Sequence, residues 1–154
     1  MTDPDEQTIA CDGDCKWVQL DEFKREFAEL EDRDPVSYDF LVVLMDAAAG
    51  EGIGPEDYKA PIGRRLVRRE RPWIGEFRVD GPTDRSGRCE QHRMYFGEAP
   101  VDRKSLAACL IGSKPSKTLP HIWRPKQDRH IGWAMDRLRA WCRRSDVTCR
   151  MLGR

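Results

Sequence analysis

Trp73-Ile74-Gly75-Glu76-Phe77-Arg78-Val79-Asp80, then His92-Arg93-Met94-Tyr95-Phe96 after a turn rich in Gly, Pro, Asp and Ser (81–87), is the stretch that decides the fold. Apolar and polar side chains alternate along 73–80, as in a half-buried strand, and 92–96 reads as the returning strand of a hairpin. Residues 105–111 (SLAACLI) are a continuous apolar run of strand length, the pattern of a central, buried strand. Three strands joined by short loops predict an antiparallel meander.

Upstream, 16–20 (KWVQL) is a short strand candidate. Asp21 is expected as a helix N-cap with an acidic first turn, and Phe23, Phe27 and Leu30 follow at i, i+4, i+7 as one apolar face. Asp34-Pro35 restarts the chain as N-cap and first helical residue, and Val36, Phe40, Val43, Leu44 and Ala47 carry the helical period to about Gly50. Downstream, 112–126 reads as a loop rich in Lys, Pro and Arg. Ile131, Ala134, Met135, Leu138, Trp141 and Cys142 then mark a closing amphipathic helix with Arg137, Arg139, Arg143 and Arg144 on its other face. The expected order is β-α-α-β-β-β-α. This is an α+β domain with a small antiparallel (mixed) four-stranded twisted sheet, two N-terminal helices and a C-terminal amphipathic helix, with the helices on one side. Residues 1–15 read as a flexible acidic leader and 16–154 as a single domain. Dinucleotide and phosphate-loop motifs, GxSxG and HExxH are absent.

The chain has 154 residues, with 27 Lys+Arg and 27 Asp+Glu, for a formal net charge of +0. That zero is a cancellation. Residues 1–57 hold 17 carboxylates against 4 basic side chains, and 58–154 hold 10 against 23, so the two parts carry −13 and +13. Such asymmetry points to a polyanionic partner. The N-terminus lacks a basic region followed by an apolar one, and the longest apolar run (40–45) is too short to cross a bilayer, so a soluble, cytoplasmic protein is expected with no membrane partner. Six cysteines (11, 15, 89, 109, 142, 149) are then read as reduced thiols. The alternative is a Cys3His zinc site of Cys11, Cys15, Cys89 and His92; no other cofactor is expected.

These elements and several short segments together resemble the RelE/HigB toxin superfamily of bacterial toxin–antitoxin systems, nearest its HigB-like, phage-associated branch. The segments are 18–30, Trp73 to Arg78, His92 to Phe96, Leu110-Ile111-Gly112-Ser113-Lys114-Pro115-Ser116-Lys117-Thr118-Leu119-Pro120, and the Ile131, Ala134, Arg137 helix. The stretches 81–91 and 119–126 are longer than usual for the family, and the acidic leader is extra. The resemblance implies a RelE-like fold and an mRNA endoribonuclease, ribosome-dependent, that inhibits translation. It also implies silencing by a cognate antitoxin, a helix-turn-helix DNA-binding or otherwise acidic protein.

RNA supplies its own nucleophile, the 2′-hydroxyl, so such an enzyme must align it, remove its proton, and stabilise the phosphate and the departing 5′-oxygen. By resemblance, Arg78 and Arg93 hold the phosphate and Lys114 or Lys117 accepts the proton or clamps the phosphate; His121 is a candidate acid. Each has a plainer reading. Arg78 would pair with Glu76 or Asp80, Lys114 and Lys117 would be solvated loop charges, and His121 and His130 structural residues. Arg64, Arg65, Arg68, Arg69 and Arg71 form an RNA-backbone track or a basic loop facing the acidic half. Trp123, with Arg124 and Lys126, would stack on a base or cover the sheet edge. The alternative function is a non-catalytic regulator that binds nucleic acid or protein, with the acidic leader masking the basic face.

Overall fold

The computed structural model describes residues 4–11, 13–50, 53–64, 66, 71–101 and 103–152. Its elements are β1 (Lys16–Gln19), α1 (Asp21–Arg33), α2 (Pro35–Ala49), β2 (Gly75–Asp80), β3 (Glu90–Ala99), β4 (Ser105–Pro115) and α3 (Pro120–Ser145). The sheet order is β1-β4-β3-β2, with β1 parallel to β4 and the other pairs antiparallel. The fold is therefore α+β with a mixed open sheet. The apolar run in β4 has its physical cause in this order, because β4 lies between β1 and β3 and is buried from Ser105 to Leu110.

The helices cover both faces of the sheet, not one. Neighbouring residues of a strand point to opposite faces. In β3, His92 meets Asp34 at the start of α2, while Arg93 lies under Trp123 of α3. Two further boundaries differ from the sequence reading. Strand β4 continues through Gly112, Ser113 and Lys114, and α3 begins at Pro120, so the expected loop is largely strand and helix. Pro120 occupies the first helical turn, where its missing N–H is harmless, and Pro125 is tolerated near the start of the same helix. Asp21 opens α1 from inside the helix; Leu20 is its N-cap and provides no side-chain bond.

Asp34 does cap α2, accepting from Ser37 N at 3.1 Å and from Ser37 Oγ at 2.7 Å. The buried face of α2 is Ser37, Leu41, Met45 and Ala48, whereas Val36, Phe40 and Val43 point to solvent. This helix carries two apolar faces, and the period alone could not choose between them. Phe23, Phe27 and Leu30 of α1 and Ile131, Ala134, Met135, Leu138, Trp141 and Cys142 of α3 are buried as the spacing predicts.

Residues 6–11 of the leader are hydrogen-bonded to the rest of the domain. Glu98, fully buried on β3, accepts from Ala10 N and Cys11 N, each at 3.0 Å, and from Arg150 Nη1 at 2.7 Å. Arg150 also stacks on Trp73 and donates to Thr8 O, so both ends of the described chain meet at one carboxylate. Cys11–Cys15 and Cys142–Cys149 are disulfides, with Cα separations of 6.1 and 6.2 Å inside the bridging range, so four of the six cysteines are not thiols. Cys89 and Cys109 are free, and burial pushes the Cys109 thiol up to about 12. Among the described residues, no helix is long and apolar enough to cross a membrane.

Candidate active site

Arg78 and Arg93 are direct partners in the β2–β3 register, so their side chains share a face. Arg93 pairs in turn with Gly112, which puts Lys114, two residues along β4, on that face too. Segment 59–62 runs along the outer edge of β2. Lys59 and Glu76 exchange both backbone bonds at 3.0 and 2.8 Å, and Ile62 N bonds Ile74 O. This brings Lys59 beside Glu76. The result is three cations around one carboxylate, Arg78, Arg93 and Lys59 about Glu76, with Lys114 farther along the same face beside Arg93.

The members differ in exposure. Arg93 is 7% exposed and Glu76 4%. Arg93 Nε lies 2.9 Å from Glu76 Oε1, and its guanidinium sits 4.9 Å from the centre of the Trp123 ring. Arg93 Nη1 is buried with no hydrogen-bond partner among the described residues. Lys114 Nζ lies 5.3 Å from the same indole. Arg78 is exposed and pairs with Asp80 at 3.4 Å, the plainer of its two readings. Glu76 lines two neighbouring cavities. One, of about 240 Å3, adds Glu56, Asp57, Tyr58, Lys59, Arg78 and Asp80. The other, of about 400 Å3, adds Lys59, Arg64, Gln127 and Ile131, with 61–63 on the same wall.

Burial raises the pKa of Glu76 above the ordinary carboxylate value, although Arg93, Lys59 and Arg78 oppose that rise. Burial, then Arg93 and Arg78, lower the pKa of Lys114. Glu76, shifted up on the wall of two cavities, and Lys114, shifted down beside Arg93 and Trp123, each exchange a proton nearer neutrality than in water. Sequence reading treated Glu76 merely as a surface partner for Arg78 and did not single out Lys59. The legible signal was Glu76 two residues before Arg78 on the same strand face; the approach of Lys59 comes from the 59–62 edge segment.

The remaining expected site residues scatter. Lys117 lies past the end of β4 in a left-handed conformation (φ 66°), with its Nζ directed to Gly87 at the far end of the hairpin. His121, Arg124 and Lys126 are exposed on the first two turns of α3. Trp123 is buried over Arg93 and Lys114, so its expected open stacking surface is taken by cations. Arg64 pairs with Glu6 of the leader, and Arg71 Nη1 donates to Arg64 O at 2.6 Å, so Arg71 braces the loop. Arg65, Arg68 and Arg69 lie outside the described residues. His130 is wedged against Gly112 between Trp123 and Trp133; burial, then Arg129, lower its pKa.

The zinc site is not formed. Cys11 and Cys15 are bonded to each other. His92 is fully buried, with Nε2 2.9 Å from Asp34 Oδ2 and Nδ1 2.7 Å from Ser113 Oγ. No group of three His, Cys, Asp or Glu suited to a metal occurs among the described residues. The Ser113–His92–Asp34 row resembles a hydrolytic triad in composition, but Asp34 is already the cap of α2, and neither cavity beside Glu76 is lined by Ser113. It ties the start of α2 to the middle of the sheet. Comparison of the chain with protein-family models, with curated proteins and with solved structures finds no match.

Proposed function

We propose that this protein is an endoribonuclease of RelE/HigB type, the toxin half of a toxin–antitoxin pair, that cuts mRNA on the ribosome by attack of the RNA's own 2′-hydroxyl. The observation that carries this reading is the register pairing of Arg78 with Arg93, with Lys114 on the next strand and Glu76 paired to Arg93. The order of elements and the mixed four-stranded sheet support this reading at the level of a small α+β fold.

In this reading Arg78 and Lys59, at the open edge of the sheet, hold the scissile phosphate through charge-assisted hydrogen bonds. Glu76 takes the proton from the 2′-hydroxyl, and its raised pKa makes it a stronger base than an ordinary carboxylate. Arg93, buried under Trp123, positions the Glu76 carboxylate through the ion pair at Nε and adds positive charge behind the phosphate site. Lys114, with its lowered pKa, gives a proton to the departing 5′-oxygen. The cognate antitoxin, expected to be a helix-turn-helix or otherwise acidic protein, covers this basic side.

One observation favours a second reading, a binder that does not cut. Arg93 is paired with Glu76 and covered by Trp123, which leaves Arg78 and Lys59 as the open phosphate ligands. Induction of the wild type and of Arg78→Ala and Glu76→Gln in cells, followed by growth and by mapping of mRNA ends, separates the two. The enzyme reading expects growth arrest and new mRNA ends with the wild type and neither with Glu76→Gln. Growth arrest without new ends, or with ends unchanged in both variants, sinks it.

A further inference from the structure

The helices of the acidic part and the closing helix of the basic part lie on opposite faces of the sheet. The two helices of the acidic part, α1 and α2, cover the His92 side, and α3 covers the Arg93 side. Each layer shows solvent a row of exposed side chains, apolar along α2 and apolar at both ends with cations between along α3. On α2 the stripe is Val36 (52% exposed), Phe40 (57%) and Val43 (63%), extended by Ala47. On α3 it is Ile122 (46%) and Trp133 (53%), with exposed Lys126 and Arg129 in line between them. Both follow the same spacing, i, i+4, i+7, i+11: 36, 40, 43, 47 and 122, 126, 129, 133. Such a row stays on one face of a helix for three turns, about 16 Å.

The charges beside the two stripes differ in balance: on α3, Lys126, Arg129 and Arg144 outnumber Asp136, which is exposed one turn from Trp133. Asp39 and Asp46 are exposed one flank over from the α2 stripe, on a layer with no Lys or Arg between 34 and 58. Lys126 and Arg129 stand within the α3 stripe, and Arg144 continues it one turn beyond Ala140. A single charge on an apolar helix face selects against a like-charged partner as well as for an opposite one.

We propose that these faces are two halves of one contact: the α2 stripe of one copy docks on the α3 stripe of a second copy of this chain. Phe40 and Trp133 are the apolar anchors, and Asp39 and Asp46 face Lys126 and Arg129. Because the halves are different surfaces, the contact is heterologous and repeats head to tail unless the rotation closes a ring. Two helix faces of about three turns bury less than the roughly 800 Å2 per partner of a stable complex, so the association is weak, steered by charge and sensitive to salt.

Sedimentation of the full-length chain over a range of concentrations, at about 0.01 M and about 0.5 M salt, tests this. At low salt the average mass rises with concentration, and at high salt it returns towards that of one chain. Phe40→Asp and Trp133→Asp, both at exposed positions, each remain monomeric with unchanged circular dichroism. Mixing them restores a dimer of one copy of each and nothing larger, because the intact α2 face of Trp133→Asp meets the intact α3 face of Phe40→Asp. A wild type that stays monomeric at low salt overturns the proposal and leaves the α2 stripe to a different protein. So does a mixture that fails to pair, or self-association lost in one variant but kept in the other, which would mean a contact of like faces. The RNA-cleavage reading can fail without touching this result, and the reverse also holds.

Discussion

Replacing Glu76 with Gln separates chemistry from folding at the Arg93 pair. The folded-state pKa of Glu76 lies above its ordinary value because burial outweighs Arg93, Lys59 and Arg78. A carboxylate whose pKa rises on folding contributes its full stability below the unfolded value of 4.5 and loses it as pH rises through the folded value. The amide of Gln is always neutral and keeps an oxygen for Arg93 Nε, now 2.9 Å from Glu76 Oε1. Glu76→Gln therefore stays within about 1 kcal/mol of the wild type, and its stability gains on the wild type as pH rises above 4.5. Catalysis behaves differently, because an amide cannot take a proton. Loss of a positioned general base lowers the cleavage rate by about 100- to 10,000-fold and removes the acid limb of the pH–rate profile. In the wild type that limb lies above the ordinary carboxylate range. Urea unfolding at several pH values, paired with single-turnover cleavage of a ribosome-bound message, reads both quantities. A Gln variant that cuts within about threefold of wild type with the same acid limb would refute the assignment of Glu76 as base.

Other perturbations have distinct signatures. Asp34→Ala removes the α2 cap and strands the buried His92 Nε2, so it costs about 2–4 kcal/mol in urea unfolding. Burial pushes the Asp34 pKa up, but the Ser37 hydroxyl and N–H, with His92, hold it below the ordinary value; that stability is present above 3.8 and fades as pH falls through the folded value. Gly112→Ala puts a Cβ 2.5 Å from His130 Nδ1, so thermal melting should report a loss of about 1–3 kcal/mol as α3 is pushed off the sheet. Arg78→Ala, at an exposed site, leaves stability within about 0.5 kcal/mol and lowers the salt slope of RNA binding by about one ion, measured by titration at several salt concentrations.

Strand periodicity around Trp73 to Phe96 and the apolar run 105–111 were enough to read the meander, and Asp34-Pro35 was enough to read the break between α1 and α2. These signals are local, since alternation, continuous apolarity and cap chemistry are complete within a few residues. The start of α3 was not legible, because Pro120 and Pro125 are breakers by propensity and are tolerated only in the opening turns of a helix. Nor was the buried face of α2. Its Val36–Phe40–Val43 and Leu41–Met45–Ala48 rows are both apolar, and the choice between them was made by the sheet it packs on. The arginines at 78 and 93 could be named from the sequence, but their direct pairing depended on the hairpin register.

The charge asymmetry was likewise visible at the outset, as −13 over residues 1–57 and +13 over 58–154. Counting charges is a property of the chain, and no fold is needed for it. What those charges face is a property of the fold. The sheet separates acidic α1 and α2 from the Arg93 side, while Glu6 and Glu26 reach across to Arg64 and Arg137. Burial is likewise a tertiary event, and it is burial that sets Glu76 and Arg93 apart from the exposed charges around them. The residue types that suit phosphate chemistry were written in the sequence; the burial that shifts Glu76 and the company of Arg93 and Trp123 that surrounds Lys114 exist only once β2, β3, β4 and α3 have packed together.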